Sequence, residues 1–288
     1  MWIVPVRKVS VLVIFILSTA TVISCVTLCR SRCERGPQFV GYGGPEAEKS
    51  AVRGLVIVTH GWIEKGPDSW PEDMVRQINK RVDANSWLCA YFDWSAGAKT
   101  FNPTDAAEYA RDVAGPELAE EVISIKADWR HIHLIGHSSG CWAISEAAKI
   151  LTHKTKADVH LTFLDAYVPH SWQESALGNV DTASDVNCWA EHYYTRDLTL
   201  GWTQRNLSFA HNVDITSIDG VLRDHNFPWQ WYYATVCRKY PQGEAIPVAT
   251  AGDVEYGFVR SREADDPKNW RRSLRLPIGN KAVRLKRQ

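Results

Sequence analysis

Ile132-His133-Leu134-Ile135-Gly136-His137-Ser138-Ser139-Gly140-Cys141-Trp142-Ala143-Ile144 is the stretch on which the reading of this chain turns. It opens as a short apolar run of strand type. Gly136-His137-Ser138-Ser139-Gly140 follows, and Cys141 to Leu151 then has the spacing of an amphipathic helix. A strand that becomes a helix within five residues forces the central one into a strained backbone conformation and lifts its side chain clear of the sheet. Glycines flank it because a Cβ at either position would collide with the neighbouring strand or helix. Ser138 is therefore expected at the tip of a tight turn, at the end of a buried strand.

Working outward, Gly54 to Thr59 is an unbroken β-branched apolar run, as in a strand buried on both faces of a parallel sheet. A helix is predicted after Asp68, with Ser69 and Pro71 in its first turn and Met74, Ile78 and Val82 on its inner face. Trp87 to Phe92 reads as the next strand, ending in Asp93-Trp94. Thr104 or Asp105 caps a helical stretch to Asp128, interrupted at Gly115-Pro116. Strands are predicted at His160–Leu164, Cys188–Tyr194 and Val213–Ile218, and a closing helix over Pro228–Val236. Alternation of strands and helices implies an α/β fold, with a mostly parallel central sheet and helices on both faces. Ligands in such sheets bind beyond the carboxyl ends of the strands.

The 288 residues suffice for one such domain, expected over residues 51–260, between a linker at 25–50 and a basic C-terminal tail at 261–288. The tail is read as solvated. Lys plus Arg and Asp plus Glu balance at 33 each, so no electrostatic footprint for nucleic acid is present and no nucleic-acid partner is expected. Residues 1–24 carry Arg7 and Lys8, an apolar run and small residues, the pattern of an export signal. Val22-Ile23-Ser24-Cys25 resembles a bacterial lipobox, which would make Cys25 the lipidation site and the protein an exported, membrane-anchored lipoprotein. An uncleaved anchor helix over Val9–Leu28 is the alternative. Cys89, Cys141, Cys188 and Cys237 read as small buried hydrophobes. His133 and His137 straddle a strand and a turn, so no metal site is expected.

The elbow resembles the nucleophile elbow of the α/β-hydrolases, in which serine, an acid and a histidine follow in that chain order. Asp165 and Asp197 both end strands at the correct edge, and His225 stands just before the closing helix. The chain also resembles the pancreatic lipase family. Thr59-His60-Gly61-Trp62 is similar to its T-H-G-aromatic loop, and Asp93-Trp94 to its V-D-W. His131 to Gly140 matches its serine motif, and Leu164-Asp165-Ala166-Tyr167-Val168-Pro169 its L-D-P-A-G-P. His225 with Tyr232-Tyr233 resembles its closing H-x-x-x-x-x-Y-Y, with one extra residue in the gap.

That resemblance implies Ser138 as nucleophile, Asp165 rather than Asp197 as acid, and His225 as base. The backbone N–H groups of Trp62 and Ser139 would form the oxyanion hole. It implies a serine hydrolase cleaving small-molecule or lipid carboxylic esters, without a cofactor. An inert fold-mate serving as a binding protein, or a thioesterase or peptidase on the same three residues, are the alternatives. The chain departs from the family in lacking the paired cysteines that bracket its lid, in carrying Ser139 for the usual Leu, and in leaving no room for a C-terminal lipid-binding β-domain. Trp172, Trp202, Trp229 and Trp231 are read as either an acyl pocket or core packing.

Overall fold

A computed structural model of the chain describes residues 38–42, 52–63, 69–173, 176–180, 187–196, 202–219, 224–238, 250–251, 254–261, 278–279 and 281–285, with 38–42, 219, 250–251, 254–255 and 261 described by backbone only. The expected export signal, Cys25 and Asp197 lie outside the described residues. Among the described residues no helix is long and apolar enough to cross a membrane.

The described residues form ten strands: β1 (Gln38–Tyr42), β2 (Gly54–Thr59), β3 (Trp87–Asp93), β4 (His131–His137), β5 (Asp158–Leu164), β6 (Cys188–Tyr194), β7 (His211–Asp214), β8 (Thr250–Ala251), β9 (Val254–Glu255) and β10 (Ala282–Arg284). Strands β8 and β9 form a small antiparallel pair of their own. The other eight form one sheet in the order β1-β3-β2-β4-β5-β6-β7-β10. All neighbours in it run parallel except β1, which lies antiparallel on β3. The β2 strand is buried at every position, because helices cover both faces of the sheet.

Alternate residues of each strand serve opposite layers. Leu55, Ile57, Phe92, Ile132, Leu134, Leu161 and Phe163 pack with the helices α3 (Pro103–Tyr109), α4 (Gly115–Ile125) and α5 (Gly140–Lys154). The short α2 (Ser95–Ala98) precedes them. Val56, Val58, Trp87, Tyr91, Ile135 and Tyr193 pack against α1 (Trp70–Asn79), through Met74, Val75 and Ile78, and against α7 (Phe227–Cys237), through Trp231, Tyr232 and Val236. The remaining helical turns are α6 (Thr216–Asp219) and α8 (Phe258–Ser261). The molecule has the α/β-hydrolase fold, as read from the sequence.

Four local expectations are corrected. Asn102, not Thr104 or Asp105, caps α3, accepting from the Thr104 and Asp105 N–H groups with Pro103 in the first turn. The break before Pro116 is a five-residue π-helical turn, Ala110–Ala114, in which Gly115 N–H bonds back to Ala110. A proline has no N–H for the regular ladder, and the wider turn absorbs that loss. Strand β7 stops at Asp214 because its carboxylate accepts from Thr216 N–H and starts α6 there. Finally, residues 282–284, read as part of a solvated tail, form the outer strand β10 in register with Asn212–Asp214. Arg284 pairs with Asp214 while Leu285 is buried, so the basic heads stay outside and the apolar side chains supply the strand.

Candidate active site

The chain runs from β2 outward to β3, then back past β2 to β4, so the connections after β2 and β4 diverge to opposite sides. A crevice opens at the carboxyl ends of strands where the winding reverses in this way. The loops His60-Gly61-Trp62 and His137-Ser138-Ser139 lie side by side there.

Ser138 has φ 54°, in the left-handed region, as the five-residue elbow requires. Its N–H donates to Leu164 C=O at 3.0 Å. Its C=O accepts from Cys141 and Tyr167 N–H, and its side chain is nearly buried. A Cβ on Gly140 would come within 2.1 Å of His60 C=O, and one on Gly61 within 2.7 Å of Ser138 Cβ. The two loops therefore approach more closely than any side chain at either position permits. Both glycines are needed for contact across the crevice.

Asp165 is fully buried at the end of β5 and also has positive φ, 46°. Pairing of His137 with Leu164 brings it beside Ser138, although 27 positions separate them in the chain. Its two oxygens have separate partners. Oδ1 accepts from Thr195 N–H at 2.9 Å, and Oδ2 meets His225 Nδ1 at 2.6 Å. The short second contact is a charge-assisted geometry in which Nδ1–H donates to the carboxylate, and it turns Nε2 to the side away from Asp165.

His225 lies one residue before Asn226, the N-cap of α7. His137 reaches across to it: Nε2–H donates to His225 C=O at 3.0 Å, and the two rings lie 4.6 Å apart. Only the fold brings residues 137 and 225 together, and no sequence pattern assigns this contact. Trp70 meets His137 edge-on and stacks on Trp229 at 4.7 Å. Among the described residues no hydrogen bond joins Ser138 Oγ to the His225 ring. Such bonds are commonly open without substrate and close when it binds.

Neither Trp62 N–H nor Ser139 N–H donates to an acceptor among the described residues. The loop carrying Trp62 is held from below. His60 Nε2 contacts Asp93 Oδ1 at 3.2 Å, its ring is stacked on Trp94, and Trp94 Nε1–H donates to His60 C=O. Burial opposes the charge on Asp93, but the His60 and Ser95 hydrogen bonds outweigh it and bring its pKa down to about 2. Behind Asp165, His192 accepts from Ala166 N–H through Nε2 and faces Asn212 Oδ1 through Nδ1. Burial lowers its pKa to about 4, against the opposing pull of Asn212, so the ring stands there uncharged.

Of the four tryptophans singled out, Trp231 is core, packed on Tyr193. Trp172 meets Trp142 edge-on under Arg111. Trp202 stands edge-on to Tyr167 and is 41% exposed. Trp229 is the one beside the His137–His225 pair. Cys89 and Cys141 are buried thiols, while Cys188 and Cys237 are half-buried.

The fold, the strained Ser138 and the Asp165–His225 contact define a protein of the α/β-hydrolase class. The sequence profile of the family described as lipase matches residues 45–188, half of the chain. This chain belongs to the lipase family. Pancreatic lipase-related protein 2 of Sus scrofa is 39% identical over 99 residues, 33% of this chain and 20% of that protein. Inactive pancreatic lipase-related protein 1 of Homo sapiens is 31% identical over 113 residues, 38% of this chain and 22% of that protein. These matches span about a fifth of the length of the curated relatives. Among solved structures, Aspergillus fumigatus lipase B aligns over 71% of this chain and 57% of its own, with TM-score 0.41 and 12% identity. A likeness that slight adds nothing to the assignment.

Proposed function

We propose that this protein is a serine hydrolase of carboxylic esters. Ser138 attacks the acyl carbonyl, His225 Nε2 takes its proton, and Asp165 holds the ring and stabilises the imidazolium that forms. The tetrahedral oxyanion is bound by the N–H groups of Trp62 and Ser139, each worth roughly 10²–10³ in rate. His225 then protonates the leaving alcohol, and water, activated by the same ring, releases the acid from Ser138. No cofactor takes part.

The observation that carries this reading is the 2.6 Å contact of His225 Nδ1 with a fully buried Asp165, next to a serine held at positive φ. Family membership alone does not carry it. The relatives include proteins named as pancreatic lipase-related protein 2 and others named as inactive. The Trp62 and Ser139 N–H groups, which donate to no acceptor among the described residues, and the locked His60–Asp93 loop support a working site over an inert one. Export and attachment to a membrane through residues 1–25 complete the proposal, with lipid or small-molecule esters as substrates.

A fluorophosphonate probe tests it directly, because only an activated hydroxyl labels. Wild type should label at Ser138 and turn over p-nitrophenyl esters of short acids. S138A should do neither, with kcat down by roughly 10⁶. Absence of labelling in folded wild-type protein, or turnover that survives in S138A, would refute the proposal.

A further inference from the structure

Five residues upstream of Ser138, about 16 Å along β4 at roughly 3.3 Å per residue, the sheet carries a cluster that ester hydrolysis does not use. Register places His133 of β4 opposite His160 of β5, and Thr162 of β5 opposite Glu191 of β6. Side chains alternate between faces along a strand, so all four project into the layer beneath α1 and α7. Every one of them is buried. Apart from His131, which packs edge-on against Trp87 beside the cluster, the neighbouring side chains of this layer are aliphatic and aromatic: Val56, Val58, Ile135, Tyr193 and Trp231.

The polar atoms converge. The His133 and His160 rings stack with centroids 4.1 Å apart and planes 6° from parallel. His133 Nε2 lies 2.8 Å from Thr162 Oγ1, and His160 Nε2 lies 3.4 Å from Glu191 Oε1. Thr162 Oγ1–H donates to that same Glu191 oxygen at 2.9 Å. One ligand atom from each of His133, His160 and Glu191 falls within 4.8 Å of the others. The other Glu191 oxygen accepts from Tyr193 O–H at 2.8 Å, and Tyr193 in turn accepts from Gly257 N–H. A carboxylate oriented by an outer hydrogen bond of this kind is how metal ligands are held in place.

We propose that His133, His160 and Glu191 bind one divalent transition-metal ion, zinc foremost, as an interior staple across β4, β5 and β6. Two imidazoles and a carboxylate are a donor set that zinc accepts, and the Thr162 hydroxyl stands beside them, 2.8 Å from His133 Nε2 and 2.9 Å from Glu191 Oε1. Zinc–ligand bonds of about 2.0–2.1 Å require the donors, which lie within 4.8 Å of one another, to draw together, and the stacked His133 and His160 rings to turn out of parallel so that both lone pairs meet the ion. Because Thr162 gives its one hydroxyl proton to Glu191, His133 Nε2–H donates to Thr162 in the metal-free network, and metal binding breaks that bond and moves the His133 proton to Nδ1. The ion offsets the burial of a carboxylate in this layer, and its distance from Ser138 makes it structural rather than catalytic.

No sequence signal exposes the site, because its ligands come singly from three strands. The test uses the full chain, stripped with a strong chelator and titrated with ZnCl₂ and with CoCl₂. One equivalent of zinc should bind per chain and raise Tm by about 5–10 °C at saturating ion. Co²⁺ should give visible d–d absorption without the thiolate charge-transfer band that a cysteine site would add. H160Q and E191Q should lose the equivalent while near-UV circular dichroism stays native. An unmoved Tm with no bound equivalent, a thiolate band, or unit stoichiometry surviving in folded H160Q would each overturn the proposal. Should the variants fail to fold, the wild-type titration decides alone.

Discussion

Asp165→Asn is the substitution whose consequence the geometry determines most closely. The carboxylate has two partners, Thr195 N–H on Oδ1 and His225 Nδ1–H on Oδ2. Asparagine keeps one acceptor oxygen and presents an NH₂ on the other side. Thr195 N–H is buried, and leaving it unpaired costs about 1–3 kcal/mol, so the amide oxygen stays with Thr195. The NH₂ then faces His225, which can meet it only by offering the Nδ1 lone pair. Its proton moves to Nε2, and that nitrogen can no longer accept a proton from Ser138.

The variant thus keeps every heavy-atom position, the fold and the site's shape, with one oxygen replaced by nitrogen, and loses the tautomer and the negative charge together. A comparable aspartate-to-asparagine change in the chymotrypsin-type triad lowers kcat about 10⁴-fold. A loss of that order corresponds to about 5 kcal/mol of transition-state stabilisation. The measurement is kcat on a p-nitrophenyl ester at neutral pH, with circular dichroism confirming the fold and labelling kinetics at Ser138 as a second readout. D197N serves as the control and should stay within about threefold of wild type, the ordinary outcome for a change outside the Asp165–His225 pair. If D165N kept activity within a factor of ten, or D197N lost it instead, the reasoning from the Thr195 and His225 contacts would be wrong.

Two further outcomes follow from the same structure. Gly61→Ala places a methyl 2.7 Å from Ser138 Cβ and 3.0 Å from His137 C=O. One loop must retreat, and misplacing the Trp62 donor should lower kcat about 100-fold or more while Tm shifts by only a few degrees; near-normal kcat in G61A would remove Trp62 N–H from the oxyanion hole. His192 gives an acid limb in stability. Burial lowers its folded pKa from 6.5 to about 4, so the unfolded chain takes up the proton first. Stability is complete above about pH 6.5 and falls towards pH 4, by about 3 kcal/mol over the interval. Asp93, lowered from 3.8 to about 2, adds its own loss only below about pH 4, so the two windows separate. Urea midpoints at pH 7 and 4.5 read the effect, and H192Q should flatten the slope. A wild-type midpoint unchanged across that range sinks the assignment.

The elbow was legible in the sequence because strand, turn and helix are contiguous and each has its own period: β-type run, two glycines around Ser138, amphipathic helix. The strands were legible for the same reason, from Gly54–Thr59 to Cys188–Tyr194. Boundaries set by single hydrogen bonds were not. The Asn102 cap, the π turn before Pro116 and the stop at Asp214 depend on which donor a side chain reaches, and composition does not encode that. The outer strand at Ala282–Arg284 was hidden because flanking basic residues dominate its average character.

By itself, then, the sequence determined a parallel α/β sheet with Ser138 at a strained turn, and it narrowed the acid and base to a few positions by chain order. Tertiary structure decided what no linear pattern holds. Register brought Asp165 beside Ser138, the reversal of winding set Gly61 against the elbow, and strand pairing gathered His133, His160 and Glu191 from three separate strands. Contacts between distant residues are fixed by how strands pair and where loops diverge, and those depend on the whole core packing at once.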